Sequence, residues 1–470
     1  MRRLAMYRAS LNRCWTSSTD SNMRAPYGAN LGVNTRSLYP TRPCVRPVAD
    51  HPVAHLLGGR ASPRARAIAR RVLPIRCASV SRHRLRQVAH RASMPRRAAM
   101  YNARMSEPRD AARYHRLQLW LGLAGFALSA AYLLALLASG VSARLALIVS
   151  VLTDAWWTQV VAVALLVSAG HALLGFPLRV VRGFWLPRRY GLLHQPFAGW
   201  LADRAKAAAL GGALGLGGVL VVYALLRLTA WWWLVAAVIF FVVGIALAAL
   251  FPVLIMPIFY RLTRLADPAL EARLLALAGR AGVAAIGVWV VDESRKSRTA
   301  NAAVVGLGRT RRIILFDTLA SAFGQDEVEA VLAHELGHHV HGDVRRGLLV
   351  QGALTLVTFW AAGALLRAGV PWWNLEGPAD PAGLPWLALV MLLLGALQLP
   401  LANAFSRWIE RQADDFALGL TRDPGAFIGA MERLGTLNLA ERRPHRLKEI
   451  LLYSHPALDR RIARARGDAA

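Results

Sequence analysis

Six long apolar stretches set the rhythm of the chain, at residues 117–139, 156–178, 207–227, 231–251, 347–368 and 385–405. Each exceeds the roughly 18 apolar residues that suggest a bilayer span, and polar residues collect between them. The pattern predicts a predominantly α, polytopic membrane protein with about six transmembrane helices. Trp residues at 156–157, 231–233 and 372–373 fall near the proposed span ends, as interfacial anchors do.

Between the fourth and fifth spans the pattern changes. Asp267 followed by Pro268 opens a helix, because an acidic cap and a proline in the first position suit a helix start. IGVWVV (286–291) reads as a buried strand, and TANAAVVG and RRIILF read as two more. The following GQDEVEAVLAHELGHH has Val328, Val331 and Leu332 at helical spacing, with Asp326 and Glu327 in the first turn. These elements predict a small cytoplasmic α+β domain. Beyond the sixth span, Asp423 with Pro424 starts another helix. No internal repeat is evident.

Charge adds an orientation. Of the formal +30, a large share sits in residues 1–100, which hold 20 Arg against 2 Asp, and the rest is spread along loops. That distribution argues for membrane topology rather than nucleic acid. The loop between spans two and three carries Arg179, Arg182, Arg188, Arg189, Arg204 and Lys206 against Asp203; the loop between spans five and six carries Glu376 and Asp380. The positive-inside rule then places residues 252–346 and the tail after 406 in the cytoplasm. Cys14, Cys44 and Cys77 all lie in the first hundred residues, so the rest has neither a disulfide nor a thiolate metal site.

The chemistry centres on His334, Glu335 and His338, an HExxH. Residues four apart share a helical face, so the two imidazoles can meet one metal while Glu335 reaches the attacking water. A metzincin would have Gly and His at the positions of His341 and Val344, so that class is excluded. The remaining option is a carboxylate from a later helix. The best candidate is Glu410, because Asp414 lies one turn on and can orient a ligand histidine. A hairpin of spans five and six, with arms of nearly equal length, would return Glu410 to the depth of the histidines. His339 and His341 point to other helix faces and are expected to be exposed. His171, inside the second span, is a functional candidate or a hydrogen-bonded structural histidine. Arg407 is expected to pair with a nearby acid.

Several motifs in order now carry a resemblance: RRYGLLHQPFAGWLADRAK (188–206), SRKSRTANAAVVGLG (294–308), RRIILFDTL (311–319), HELGHH, NAFSRWIERQADDFA (403–417) and SHPALDRRI (454–462). Over roughly residues 115–465 the chain resembles the integral-membrane CAAX prenyl protease type 1 family of zinc metallopeptidases. The resemblance implies one zinc ion per chain on His334, His338 and Glu410, Glu335 as general base, and Asp414 supporting a ligand histidine. It implies that Asn301 and Ala302 sit on an edge strand to which an extended peptide adds. His455 would stabilise the oxyanion, and Arg461 would contact substrate. Three departures stand out: Pro187 where the family often has Glu, Ala303 where an aromatic often follows the NA pair, and His339 where Trp often follows HELGH. The last two bear on substrate preference.

The implied function is a zinc endopeptidase acting at the cytoplasmic membrane face on a peptide or membrane protein, with or without a lipid, and with no nucleic acid partner. The site would lie in a bacterial inner membrane or, in a eukaryote, in the endoplasmic reticulum membrane. Two rivals predict different behaviour. An HtpX-like quality-control protease would take unfolded membrane proteins, and a transporter or scaffold with a fortuitous HExxH would hold no stoichiometric metal. The expected division is a basic segment at 1–105 and four spans at 106–260. A metallopeptidase part at 261–346, a transmembrane hairpin at 347–405 and a C-terminal part at 406–470 follow. For 1–105, a translated upstream stretch with the true start at Met94, Met100 or Met105 is preferred over a presequence or a basic arm.

Overall fold

The computed structural model describes residues 108–306 and 311–468, so the basic segment at 1–105 lies outside the described residues. The chain enters as α1 (Pro108–Ala138), a short α2 (Val141–Leu152), α3 (Trp156–Val180), α4 (Phe197–Leu228) and α5 (Trp232–Leu250). Both α3 and α5 continue through a π turn and a last helical turn, reaching Arg189 and Phe259. Pro252 falls in the second of these turns, where a residue without an N–H relieves the local ladder. Helix α2 was not expected. At 12 residues it is about 18 Å long, too short for a bilayer. It packs on α3 and on the turn Pro381–Gly383, at the end of the bundle opposite HExxH.

After α5 come β1 (Leu262–Arg264), α6 (Pro268–Arg280), β2 (Val288–Val291), β3 (Ala302–Val305), β4 (Arg312–Phe316), α7 (Asp317–Ala322) and α8 (Gln325–Val340). Helix α6 starts as its sequence predicts, with the Asp267 carboxylate accepting from the amides of Ala269 and Leu270. The sheet order is β1-β2-β4-β3, with β2 and β4 parallel and both outer strands antiparallel, so β3 is an edge strand. Strand alternation divides its side chains between two layers. Ile313 and Leu315 enter a core with Leu274 of α6 and Leu332 of α8; Ile314 packs with Phe251, Ile255 and Tyr260 at the end of α5 and with Ala207 of α4. Fully buried residues such as Leu315 and Leu332 each contribute about 1.5–3 kcal/mol. The sheet is therefore a layer between α6 and α8 on one side and the ends of two spans on the other.

Helices α9 (Asp343–Trp372) and α10 (Leu384–Thr421) form the hairpin, followed by α11 (Pro424–Leu437), α12 (Arg446–Leu452) and α13 (Leu458–Arg466). Among the described residues, six helical stretches, including the hairpin arms, are long and apolar enough to cross a bilayer. They coincide with the six expected spans. Val160, Val163, Tyr223, Ala236, Phe359 and Val390 form part of the core between them.

Between β2 and β3 lies a buried acid, Glu293, which accepts from the hydroxyls of Ser297 and Thr299. Burial pushes its carboxyl up to about 7, against the pull of Ser297, Lys296, Thr299 and Tyr260. The native state thus holds this proton more tightly than the unfolded chain. Stability linked to Glu293 is full below about pH 4.5 and declines as pH rises to 7, by about 3 kcal/mol in all. Thermal denaturation of detergent-solubilised protein should show this slope in the wild type and lose it in Glu293→Gln.

Candidate active site

Helix α8 brings His334, Glu335 and His338 into the interior, all three buried. It can do so because Gly337 faces α10 without a side chain: a Cβ there would lie 3.1 Å from the backbone of Ala413 and 3.2 Å from Phe416. That close approach lets Glu410 of α10 reach the histidines. His334 Nε2 is 3.1 Å from Glu410 Oε2, and His338 Nε2 is 3.7 Å from Glu410 Oε1. A tetrahedral zinc with 2.0–2.2 Å bonds separates its ligand atoms by about 3.4 Å, a spacing that both distances to Glu410 approach. Among the described residues, His334, His338 and Glu410 are the group of metal-binding side chains that converges in this way.

The other nitrogen of each imidazole is held by its own carboxylate. His334 Nδ1 lies 2.8 Å from Asp414 Oδ1, and His338 Nδ1 lies 2.8 Å from Asp343 Oδ2. Both pairings turn Nε2 toward the common centre. The field there is strongly negative: burial alone would lower His334, yet Glu410 and Asp414 push it up to about 10. Such a field suits a divalent cation.

Asp414 was legible in the sequence at helical spacing from Glu410, but Asp343 was not. It lies five residues after His338, beyond the end of α8, and returns only because Gly342 takes φ 65° between α8 and α9. Asp343 is completely buried. Asp343→Asn is expected to weaken metal binding about 10–100-fold, measured by competition with a chromophoric chelator on folded protein.

The remaining residues fall as follows. Glu335 follows His334 on the same buried turn. His455 Nε2 is 3.4 Å from Glu410 Oε1, with Nδ1 2.8 Å from Ser454 Oγ, so its ring borders the metal donors. Arg461 is buried beneath Asp414. Its Nε and Nη2 donate to the two carboxylate oxygens at 2.8 and 2.6 Å, and its fork is taken up there. This differs from the substrate contact the resemblance implied. Asn301 precedes β3, where its carbonyl accepts from Phe316 N and its side chain from Ala302 N. Ala302 is the first residue of that edge strand.

Two expectations need correction. His339 and His341 are half-buried: the ring of His339 lies 3.4 Å from the Val304 carbonyl of β3, and His341 meets Phe416 edge-on. Arg407 donates to two main-chain carbonyls, Glu449 at 2.9 Å and Tyr453 at 2.6 Å, rather than to an acid. Of the two readings open for His171, the structure fits the hydrogen-bonded one: its ring meets Ser129 at 2.9 Å inside the bundle, apart from the group of metal-binding side chains.

The sequence model of Peptidase family M48 matches residues 264–469, and that of the CAAX prenyl protease N-terminal region, described as five membrane helices, matches 85–261. The CAAX prenyl protease 1 of Saccharomyces cerevisiae is 30% identical over 320 residues, covering 63% of this chain and 70% of the yeast protein. The chain belongs to the M48 family of CAAX prenyl protease-type metallopeptidases. An uncharacterized metalloprotease of Bacillus subtilis, YhfN, is 29% identical over 77% of this chain and 85% of its own length. The crystal structure of S. mikatae Ste24p superposes with a TM-score of 0.58 at 27% identity, covering 65% of this chain and 75% of that one. This chain is therefore an integral multi-pass membrane metalloendopeptidase, and its family implies a bound metal. Where the N-terminal family description has five membrane helices, this chain has four long ones and the short α2 among the described residues.

Proposed function

We propose that the ion is zinc, held by His334, His338 and Glu410, and that the site cuts peptide bonds at the cytoplasmic membrane face. The observation that carries this reading is the convergence of two imidazoles and a carboxylate, with ligand atoms within 4.8 Å of one another and each imidazole backed by its own acid. When bound, zinc acidifies water and polarises the scissile carbonyl. Glu335 takes the proton as the water oxygen adds to the carbonyl carbon, and gives a proton to the amine as the C–N bond breaks. His455 donates from Nε2 to the oxyanion. Asp414, braced by Arg461, and Asp343 keep the two ligand rings oriented. The free edge of β3 pairs with the main chain of an extended substrate, entering at Asn301 and Ala302.

A membrane-anchored peptide is the substrate class we favour, since the yeast relative is named a CAAX prenyl protease. The cytoplasmic assignment rests on the excess of basic residues where spans two and three meet, Arg179, Arg182, Arg188, Arg189, Arg204 and Lys206 against Asp203. Purified protein in nanodiscs should cleave a prenylated peptide faster than the same peptide without its lipid. Equal rates on both, together with cleavage of an unfolded membrane protein, would favour a quality-control role instead.

A further inference from the structure

The stretch 188–206, where spans two and three meet, takes no part in the metal site, yet it is stitched to the chain that leads into β3. Leu193 and Ser297 form an antiparallel bridge. The amides of His194 and Gln195 donate to the Lys296 carbonyl at 2.7 and 3.1 Å, and Arg298 N donates to the Leu192 carbonyl at 3.1 Å. The Lys296 side chain then reaches back into the membrane part. Its Nζ lies 2.6 Å from Asp203 Oδ2 on α4 and 4.3 Å from the ring centre of Tyr260, just past span four. Gln195 supplies Asp203 Oδ2 with a second donor at 2.7 Å. The lysine side chain is only 7% exposed, so water screens this pair little.

The next residues are held from the other side. Asn438, after α11, accepts from Ala300 N at 2.9 Å and donates to Ala300 O at 3.1 Å, while Thr318 Oγ1 donates to the Thr299 carbonyl at 2.6 Å. From Lys296 to Ala300 the lead-in is thus gripped continuously, and β3 begins two residues later. A peptide that adds to β3 inherits the register and tilt of that strand, because main-chain hydrogen bonds tolerate little displacement.

We propose that Lys296 is a positioning residue for substrate: clasped by Asp203 and Tyr260, it fixes the lead-in and so aligns the free edge of β3 with the metal ligands. The inference rests on the reading that a peptide pairs with β3. A merely structural tie would lower the amount of active enzyme and leave the KM of the surviving molecules unchanged. A positioning role raises KM.

The test compares Lys296→Met, which keeps the buried stem, with Asp203→Asn and the double variant. All are full-length chains in nanodiscs, with rates on a fluorogenic peptide expressed per bound zinc. Both single variants should raise KM about tenfold with kcat within about twofold, and the double should be no worse than Lys296→Met, because all three remove one ion pair. Unchanged KM, a fall in kcat alone, or additive effects would overturn the proposal. Should Lys296→Met not fold, Gln195→Ala removes only the second donor to Asp203 and should raise KM about twofold; an unchanged KM there also overturns it. Wild-type protein that holds zinc but cleaves nothing would sink the peptidase reading instead, so the two failures are distinct.

Discussion

Glu335→Gln should retain one metal ion per chain and lose about 10²–10⁴-fold in kcat. Glutamine keeps the volume and the buried position of Glu335 on α8, between the two ligand histidines. It cannot accept the proton that the attacking water must lose. Neither imidazole depends on it for orientation, since Asp414 and Asp343 perform that task. KM should therefore change little. Metal analysis by plasma mass spectrometry alongside initial rates checks both halves, and a variant with wild-type kcat would remove Glu335 from the chemistry.

Glu410→Ala should have the opposite signature: metal lost and activity lost with it. Glu410 is buried, and its two oxygens lie 3.1 Å from one ligand imidazole and 3.7 Å from the other. Removing it leaves two nitrogens for an ion that needs at least three protein donors. The loss should exceed the roughly 10–100-fold caused by removing a supporting carboxylate. The fold should survive, because α10 is positioned by apolar packing along the hairpin and by the contact of Gly337 with Ala413 and Phe416. Metal content after dialysis against a mild chelator, compared between Glu410→Ala and Glu335→Gln, separates ligand from base. Retention of stoichiometric metal by Glu410→Ala would mean another side chain fills that place.

Much of this was legible in the sequence because the signals are periodic. The six spans declare themselves by length and apolarity, and the helices overrun the predicted ends because they continue through polar turns, as α3 does past Arg179 and Arg182 to Arg189. His334, His338, Glu410 and Asp414 follow the i, i+4 rule, so their convergence needed only the hairpin to be assumed. What escaped depends on contacts without a period. Strand β1 is three residues at the exit of a span, too short for alternation to register. Asp343 reaches His338 by a left-handed glycine rather than by helical spacing. Arg407 found carbonyls at the end of α12 that only packing brings near. Lys296 and Asp203 are 93 residues apart and meet because the sheet rests on the span ends.

The most direct measurement is X-ray absorption at the zinc edge on purified, full-length protein. The account predicts one zinc per chain with a shell of nitrogen and oxygen donors at about 2.0–2.2 Å, including the multiple-scattering pattern of two imidazoles. A shell containing one imidazole or none, or protein that purifies without stoichiometric zinc and binds none on addition, would contradict it.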